Sequence, residues 1–240
     1  MPNFFTDLVP ARLHRFISSR LGLAGKKRGK KRGGYPPLPA QADAEFAQLL
    51  ELFRRENVRR YLEIGSRYGG SFNAVMRSLP PGSFGVAVDL PGVSWGRSSS
   101  ETTLRRVISD LRRDGYGVEL LLGNSQDAAI VEAVAKHAPF DAVFIDGDHS
   151  YAGVRADWLN YGPLARIVAF HDITGDGATA TERTPTPIEV PLLWREIRSS
   201  GSVAVHEFVA DPRHSPLPRS LGPCGIGVAI AGTGAPRPSG

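Results

Sequence analysis

Residues 61–71, YLEIGSRYGGS, decide the fold of this 240-residue chain, because a strand pattern passes here into a glycine-rich loop and then into a helix. Glycines stand at positions 65, 69 and 70. Glycine lets the backbone turn sharply and lets a ligand approach it, and the free N–H groups of the following helix point towards that ligand. The spacing G-x-x-x-G-G fits the G-x-G-x-x-G of dinucleotide-binding folds poorly. The stretch therefore predicts a pocket for a nucleotide-type ligand that differs from the dinucleotide-binding pocket.

From residue 60 onward, strand patterns alternate with helix patterns. Such alternation predicts a parallel sheet with helices on both faces. Two last strand patterns have only a Pro-rich segment between them, which predicts a closing antiparallel pair. We therefore predict an α/β fold with a doubly wound, mostly parallel seven-stranded sheet and an antiparallel last strand. The predicted strand and helix pairs are 60–65 and 70–79, 84–90 and 102–114, 118–123 and 126–137, 141–146 and 151–162, 166–171 and 191–200, then strands 203–210 and 226–231.

The composition predicts one main domain, since 41% of the residues are hydrophobic and 22% are charged. A single cysteine, Cys224, excludes an internal disulfide framework and a cysteine-rich zinc site, and it favours a cytoplasmic protein. The sequence contains no apolar run of about 18 residues, the length that a membrane-spanning helix needs. A helix from Gln41 to Arg55 is expected to cover the edge of the sheet, because its apolar residues share one face.

The basic residues are concentrated in the first part of the chain. Residues 1–34 contain nine Lys and Arg against one Asp, a charge of +8, which leaves −3 of the total +5 for residues 35–240. Residues 4–23 have the spacing of a basic amphipathic helix, and KKRGKKR follows at 26–32. We divide the chain into an arm, residues 1–40, and a domain, residues 41–240. The arm is either a disordered tail or a peripheral contact to the anionic inner face of a membrane. The acidic domain argues against a nucleic-acid partner.

Ligands of an open parallel sheet bind beyond the carboxyl ends of its strands, so polar residues at those ends are candidates. Asp89 ends the second strand, where a carboxylate can accept two hydrogen bonds from a ribose diol; the alternative is that it caps the next turn. Asp146 ends the fourth strand, and His171 and Asp172 end the fifth. A buried Asp146 needs a partner, and these three groups could hold a metal ion.

Three motifs resemble a known family. The first is E-x-G-x-x-x-G-G from Glu63, the second is GNSQD at 123–127, and the third is FIDGDHSY followed by FHDI. Together they resemble class I S-adenosylmethionine (SAM) methyltransferases, and within them the metal-dependent O-methyltransferases of small molecules and sugars, a group related to cephalosporin-pathway and macrolide-sugar enzymes. The resemblance covers about residues 58–232.

This resemblance implies a role for each motif residue. It implies that Ser125 and Gln126 contact adenine, although Ser125 or Asn124 could instead cap the next helix. It implies a divalent cation, Mg or Mn, on Asp146, His171 and Asp172. The relatives have an acidic residue where this chain has His171, and imidazole suits Mn, Fe or Zn better than Mg. The implied SAM-binding residues are Glu63, Gly65, Ser66, Gly69, Ser71, Asp89, Ser125, Gln126 and Asp146.

The resemblance further implies catalysis by His149 and Asp146. An imidazole such as His149 can take a proton from a hydroxyl that a metal has made more acidic, although His149 could also be a helix-start residue. The expected reaction is methyl transfer from SAM to a hydroxyl of a small molecule, sugar or glycan. Two alternatives stay open, an oxidative, hydroxylase-like relative and an RNA-binding or RNA-modifying protein that uses the basic arm.

Overall fold

The computed structural model describes residues 35–41, 43–90, 92, 100–175, 187–210 and 224–232. Residues 1–34 of the arm and most of residues 91–101 and 174–190 lie outside the described residues. The strands are β1 (Arg60–Ile64), β2 (Phe84–Asp89), β3 (Gly117–Leu122), β4 (Phe140–Ile145), β5 (Ala165–His171), β6 (Ala204–Phe208) and β7 (Ile226–Ile230). The helices are α1 (Asp43–Arg55), α2 (Gly70–Ser78), α3 (Ser100–Arg113), α4 (Ala128–Ala135), α5 (Tyr151–Tyr161) and α6 (Val190–Ser200), with a 3₁₀ turn at Gly162–Leu164.

The strands form one seven-stranded sheet in the order β3-β2-β1-β4-β5-β7-β6. The first five strands in this order pair in parallel, whereas β7 pairs antiparallel with both β5 and β6. This confirms the predicted doubly wound sheet and the closing antiparallel pair. Element bounds differ from the predicted ones by one or two residues at most ends, as expected where helices and strands fray.

Helices cover both faces of the sheet and give it two apolar layers. Helices α1, α2 and α3 pack on one face, and α4, α5 and α6 pack on the other. Strand β1 shows why, because its successive side chains point to opposite faces: Tyr61 lies in the first layer and Leu62 in the second, both fully buried. No helix among the described residues is long and apolar enough to cross a membrane.

Helix α1 lies against the β6–β7 edge, as predicted. Its buried face includes Phe46, Leu49 and Phe53. One polar contact fixes the helix there, since Oε1 of the fully buried Glu45 accepts a hydrogen bond from the backbone N–H of Ala210 at 2.8 Å. The start of the domain is thereby joined to the end of β6.

The strand order reverses between β1 and β4, so a crevice opens at the carboxyl ends of these two strands. The loops after them are in direct contact, because the backbone N–H of Asp146 donates to the carbonyl of Ile64 at 2.9 Å. The crevice therefore brings the glycine-rich loop after β1 next to the acidic end of β4.

Candidate functional site

Glycines shape the loop after β1 through close backbone approaches. Gly65 has a φ of +89°, and a Cβ at this position would collide with the carbonyl oxygen of Asp146. Gly69 has a φ of +80° and precedes the first residue of α2. The N–H groups of Gly65 and Ser66 both donate to the carbonyl of Val88, at 2.9 and 3.2 Å. Only glycine fits at position 65, and the loop is held against the end of β2.

Glu63 lies in the core beneath this loop, with no exposed surface. Tyr61 donates to its Oε2 at 2.5 Å and Ser71 donates to its Oε1 at 2.9 Å. Burial raises the pKa of Glu63 to about 8, although these two hydrogen bonds oppose the rise. The predicted cofactor residues Glu63, Ser66 and Ser71 are all buried, so in this structure Glu63 supports the loop from below.

Asp89 stands at the end of β2, beside the same loop. Its Oδ1 accepts the backbone N–H of Arg67 at 2.8 Å, so the carboxylate holds the preceding glycine-rich loop. Burial raises the pKa of Asp89, and the Arg67 N–H opposes this rise. Within the described part of the chain, Oδ2 accepts no hydrogen bond, which leaves one oxygen for a ligand such as a ribose hydroxyl.

The loop after β3 carries the residues expected at adenine. Ser125 is half-buried and Gln126 is exposed. The side chain of Asn124 accepts the N–H of Gln126 at 3.0 Å, whereas helix α4 begins only after Asp127. Of the two proposed capping residues, Asn124 therefore holds the turn before the helix. Ser125 instead donates its hydroxyl to Asp157 at 2.7 Å.

Four side chains converge where β4 and β5 end. Ligand atoms from Asp146, His149, His171 and Asp172 all lie within 4.8 Å of one another. Nε2 of His149 is 3.4 Å from Oδ1 of Asp146 and 3.0 Å from Oδ2 of Asp172. Nδ1 of His171 is 3.2 Å from Oδ1 of Asp146 and 3.4 Å from Oδ1 of Asp172. The structure thus joins the predicted base and the predicted metal ligands in one cluster, the Asp/His cluster.

Charge dominates the electrostatics of the Asp/His cluster. Burial alone would lower the pKa of His149, but hydrogen bonds and charge from Asp146 and Asp172 outweigh burial and raise it to about 10. The same two carboxylates raise the pKa of His171 against an equally unfavourable burial. Burial opposes ionisation of Asp146 and Asp172, yet the imidazoles keep both carboxyl pKa values below the ordinary range. The two carboxylates and the two imidazoles therefore stabilise one another's charged forms.

The donor chemistry of the Asp/His cluster also fits a divalent cation. Two carboxylates and two imidazoles are a ligand set for Mn, Fe, Co or Zn, whereas Mg prefers oxygen alone. Asp172 has a φ of +60°, an uncommon backbone conformation for a residue other than glycine. This turn brings its carboxylate back towards His149, so backbone strain is accepted at this position to complete the cluster.

Sequence reasoning missed several residues around these motifs. Gln41 is nearly fully buried and donates to Oδ2 of Asp146 at 2.6 Å, although it lies far away along the chain. Asp157 and Tyr161 on α5 both contact Ser125. Cys224 lies near Asp172, and burial together with that negative charge raises its pKa. Periodicity gives no signal for Gln41, but the polar residues of α5 interrupt its apolar face and could have been noticed.

A family model described as a methyltransferase domain matches residues 62–173, which run from β1 to just beyond β5. This segment contains every loop of the crevice described above. Residues 62–173 are thus a methyltransferase domain. The predicted class of enzyme, a SAM-dependent methyltransferase, is thereby confirmed.

Solved structures show the same fold as this methyltransferase domain. The O-methyltransferase from Bacillus cereus, solved in complex with S-adenosylhomocysteine, superposes with a TM-score of 0.60 at 18% identity and covers 94% of each chain. TomG from Streptomyces achromogenes, an O-methyltransferase of tomaymycin synthesis in complex with SAM, gives 0.58 at 18% identity, covering 94% of this chain and 92% of TomG. Cofactor-bound Rv0187 from MTB gives 0.60 at 17% identity, covering 94% and 92%. Among curated proteins, none matches the chain in sequence.

Proposed function

We propose that this methyltransferase transfers the methyl group of SAM to a hydroxyl group of a small molecule or sugar, with help from a divalent cation. The cofactor would lie along the carboxyl ends of β1, β2 and β3, between the glycine-rich loop, Asp89 and Ser125. The acceptor hydroxyl would lie at the Asp/His cluster. The solved relatives that are described as O-methyltransferases support the choice of oxygen as the acceptor.

One observation carries this proposal, namely that the glycine-rich loop and the Asp/His cluster share a backbone contact. Gly65 lies so close to the carbonyl of Asp146 that a Cβ cannot fit between them. The side chain of the same Asp146 lies within 3.2 Å of His171 and 3.4 Å of His149. A group bound on the loop and a group bound at the cluster would therefore be neighbours, and methyl transfer depends mainly on such positioning.

Different residues of this chain would bind the cofactor, accept the proton and hold the cation. Asp89 would hold a ribose hydroxyl through its available oxygen, and Ser125 with Gln126 would contact the adenine. Nε2 of His149 would receive the proton of the acceptor hydroxyl. Asp146, His171 and Asp172 would hold the cation. When bound, the cofactor supplies an activated methyl group and the cation supplies a charge that lowers the pKa of the hydroxyl.

The electrostatics of the cluster would give the cation a second role in the proposed mechanism, namely to free His149 to act as a base. The two carboxylates raise the pKa of His149 to about 10, so in the ion-free cluster its imidazole already holds a proton at neutral pH. Neutralising Asp146 and Asp172 with a bound cation would remove this effect and lower the pKa of His149 towards the physiological range. Proton transfer to His149 then becomes possible.

An oxidative activity is the second candidate. Two imidazoles and a carboxylate are also the ligand set of non-haem Fe(II) oxygenases, and His149, His171 and Asp146 supply that set here. SAM with an isotopically labelled methyl group separates the two candidates. Label in the product of a hydroxylated acceptor supports methyl transfer, whereas an unlabelled product with one added oxygen supports the oxidative reaction.

A variant of His149 tests its role within methyl transfer. We expect His149→Ala to lower kcat by about 10² to 10⁴, the range for a positioned base, while SAM affinity changes little. His206→Ala is the matched control, because His206 is an exposed histidine on the edge strand β6. Equal rates for the two variants between pH 6 and 9 would remove His149 from the mechanism.

A further inference from the structure

Two side chains of α5 reach the same residue of the loop after β3. Oδ1 of Asp157 accepts the hydroxyl hydrogen of Ser125 at 2.7 Å. The hydroxyl of Tyr161 donates to the carbonyl of Ser125 at 2.5 Å. Asp157 and Tyr161 are four residues apart, so they lie one above the other on one face of the helix. Helix α5 therefore holds both the side chain and the backbone of Ser125.

Asp157 is costly to bury for a purely structural purpose. It has no exposed surface, and within the described residues its Oδ2 has no hydrogen-bond partner. Burial, together with the charge of Asp148, raises the pKa of Asp157 to about 7, while the Ser125 hydroxyl opposes the rise. An apolar side chain would pack here at lower cost in free energy, because a buried carboxyl oxygen without a partner is destabilising. A function for the Asp157–Ser125 hydrogen bond would account for this cost.

The direction of that hydrogen bond decides what Ser125 can offer a ligand. A serine hydroxyl has one hydrogen and two lone pairs. Because the hydrogen points to Oδ1 of Asp157, only the lone pairs of the half-buried Ser125 remain for a ligand. This direction holds for the ionised Asp157 and for the acid that carries its proton on Oδ2, since Oδ1 accepts in both forms. Ser125 is thus an acceptor and can pair only with a donor.

We infer that Asp157 is a specificity-determining positioning residue, which keeps Ser125 as a hydrogen-bond acceptor for the exocyclic amino group of adenine. Tyr161 acts together with Asp157, because its hydrogen bond to the carbonyl of Ser125 fixes the position of the loop after β3 relative to α5. The inference rests on the proposed binding of SAM in this crevice. The inference gives a reason for purine specificity. A 6-amino purine can donate a hydrogen bond to Ser125, whereas a 6-keto purine presents an acceptor and cannot.

Calorimetry with two ligands tests the inference. S-adenosylhomocysteine carries the 6-amino group, and S-inosylhomocysteine carries a 6-keto group in its place. For the full chain we expect a clear preference for the adenosyl ligand. Asp157→Leu frees the hydroxyl hydrogen of Ser125, so the preference should fall about tenfold, as for the loss of one discriminating hydrogen bond. Asp157→Asn can still accept from Ser125 through its amide oxygen and should retain the preference.

Two further variants keep the test decisive if Asp157→Leu does not fold. Ser125→Ala should reduce the preference as Asp157→Leu does. Tyr161→Phe should weaken both ligands by the same factor, leaving their ratio unchanged, because only the carbonyl contact is lost. An unchanged ratio in a folded Asp157→Leu, or in Ser125→Ala, overturns the inference. A full chain that binds neither ligand refutes the proposed function instead, so the two failures are distinguishable.

Discussion

Gln41 and Asp146 are joined by a side-chain hydrogen bond of 2.6 Å across 105 positions of the chain. The bond divides the two oxygens of Asp146 between two neighbours. Oδ2 accepts from Gln41, while Oδ1 faces His149 and His171. Gln41 thereby turns the carboxylate towards the Asp/His cluster. Partners that orient a ligating carboxylate in this way commonly affect metal affinity.

Gln41→Leu should therefore weaken both the fold and the metal site. Loss of a hydrogen bond to a buried carboxylate is expected to lower the free energy of unfolding by about 1.5–3 kcal/mol and Mn²⁺ affinity by about tenfold or more. Urea denaturation and Mn²⁺ titration measure the two effects. Gln48→Leu is the matched control, since Gln48 lies on α1 and, among the described residues, its side chain bonds only to the carbonyl of Ala44 in the same helix. Equal effects of the two substitutions would show that Gln41 has no special role.

Asp89→Ala is expected to weaken SAM binding by about 1.5–3 kcal/mol, because charge-assisted hydrogen bonds to the ribose are lost. Calorimetry measures this change. Asp141→Ala is the matched control. Asp141 also accepts backbone N–H groups, at 2.8 and 2.9 Å, but it lies at the amino ends of the strands, away from the crevice. It should lower stability without changing affinity. Binding of SAM by Asp89→Ala at the wild-type level would leave Asp89 as a residue that merely holds the Arg67 loop.

Chelation should separate the metal from the cofactor. EDTA is expected to suppress methyl transfer and to leave SAM binding largely intact, because the cation is proposed to meet the acceptor. Added Mn²⁺ should restore the rate better than Mg²⁺, since one of the three proposed ligands, His171, is an imidazole. His171→Asp should shift this preference towards Mg²⁺. Full activity in EDTA, with no metal found by elemental analysis, would assign Asp146 and Asp172 to hydrogen bonding alone.

How far the sequence predicts the structure depends on the range of the interactions. The alternation of strands and helices and the glycines of residues 65–70 are local signals, and they predicted the sheet and the position of the crevice. The ends of β4 and β5 are adjacent because the strands are parallel neighbours, which brought Asp146 and Asp172 together as expected. Gln41 was missed because its contact depends on tertiary packing and leaves no periodic pattern in the sequence, whereas Asp157 interrupts the buried face of α5 and could have been noticed.

The buried Glu63 should make stability depend on pH. Burial raises its pKa to about 8, above the ordinary value near 4.3 that it regains on unfolding. The contribution of Glu63 to the free energy of unfolding is complete below its pKa in the unfolded state. It is lost as the pH rises through its pKa in the folded state. Between about pH 4.5 and 8 the free energy of unfolding should thus fall by up to about 1.4 kcal/mol per pH unit. Denaturation of Glu63→Gln should show a flatter slope, whereas Glu101→Gln on the surface of α3 should not. Identical slopes for Glu63→Gln and the wild type would contradict the raised pKa.

The basic part of the arm, residues 1–34, is predicted to bind an anionic membrane surface through its charge together with the apolar face of residues 4–23. Residues 1–34 carry a net charge of +8, and each Lys or Arg near such a surface contributes about 1 kcal/mol. We expect the full chain to sediment with vesicles that contain phosphatidylserine but not with neutral phosphatidylcholine vesicles, and salt should weaken the binding progressively. Deleting residues 1–34 should abolish sedimentation and leave the methylation of a dissolved acceptor unchanged.

A matched variant with the six basic residues of 26–32 replaced by Ser separates charge from apolar insertion, because it keeps the amphipathic pattern of 4–23. Failure of the full chain to bind the anionic vesicles even at low salt would rule out the membrane role.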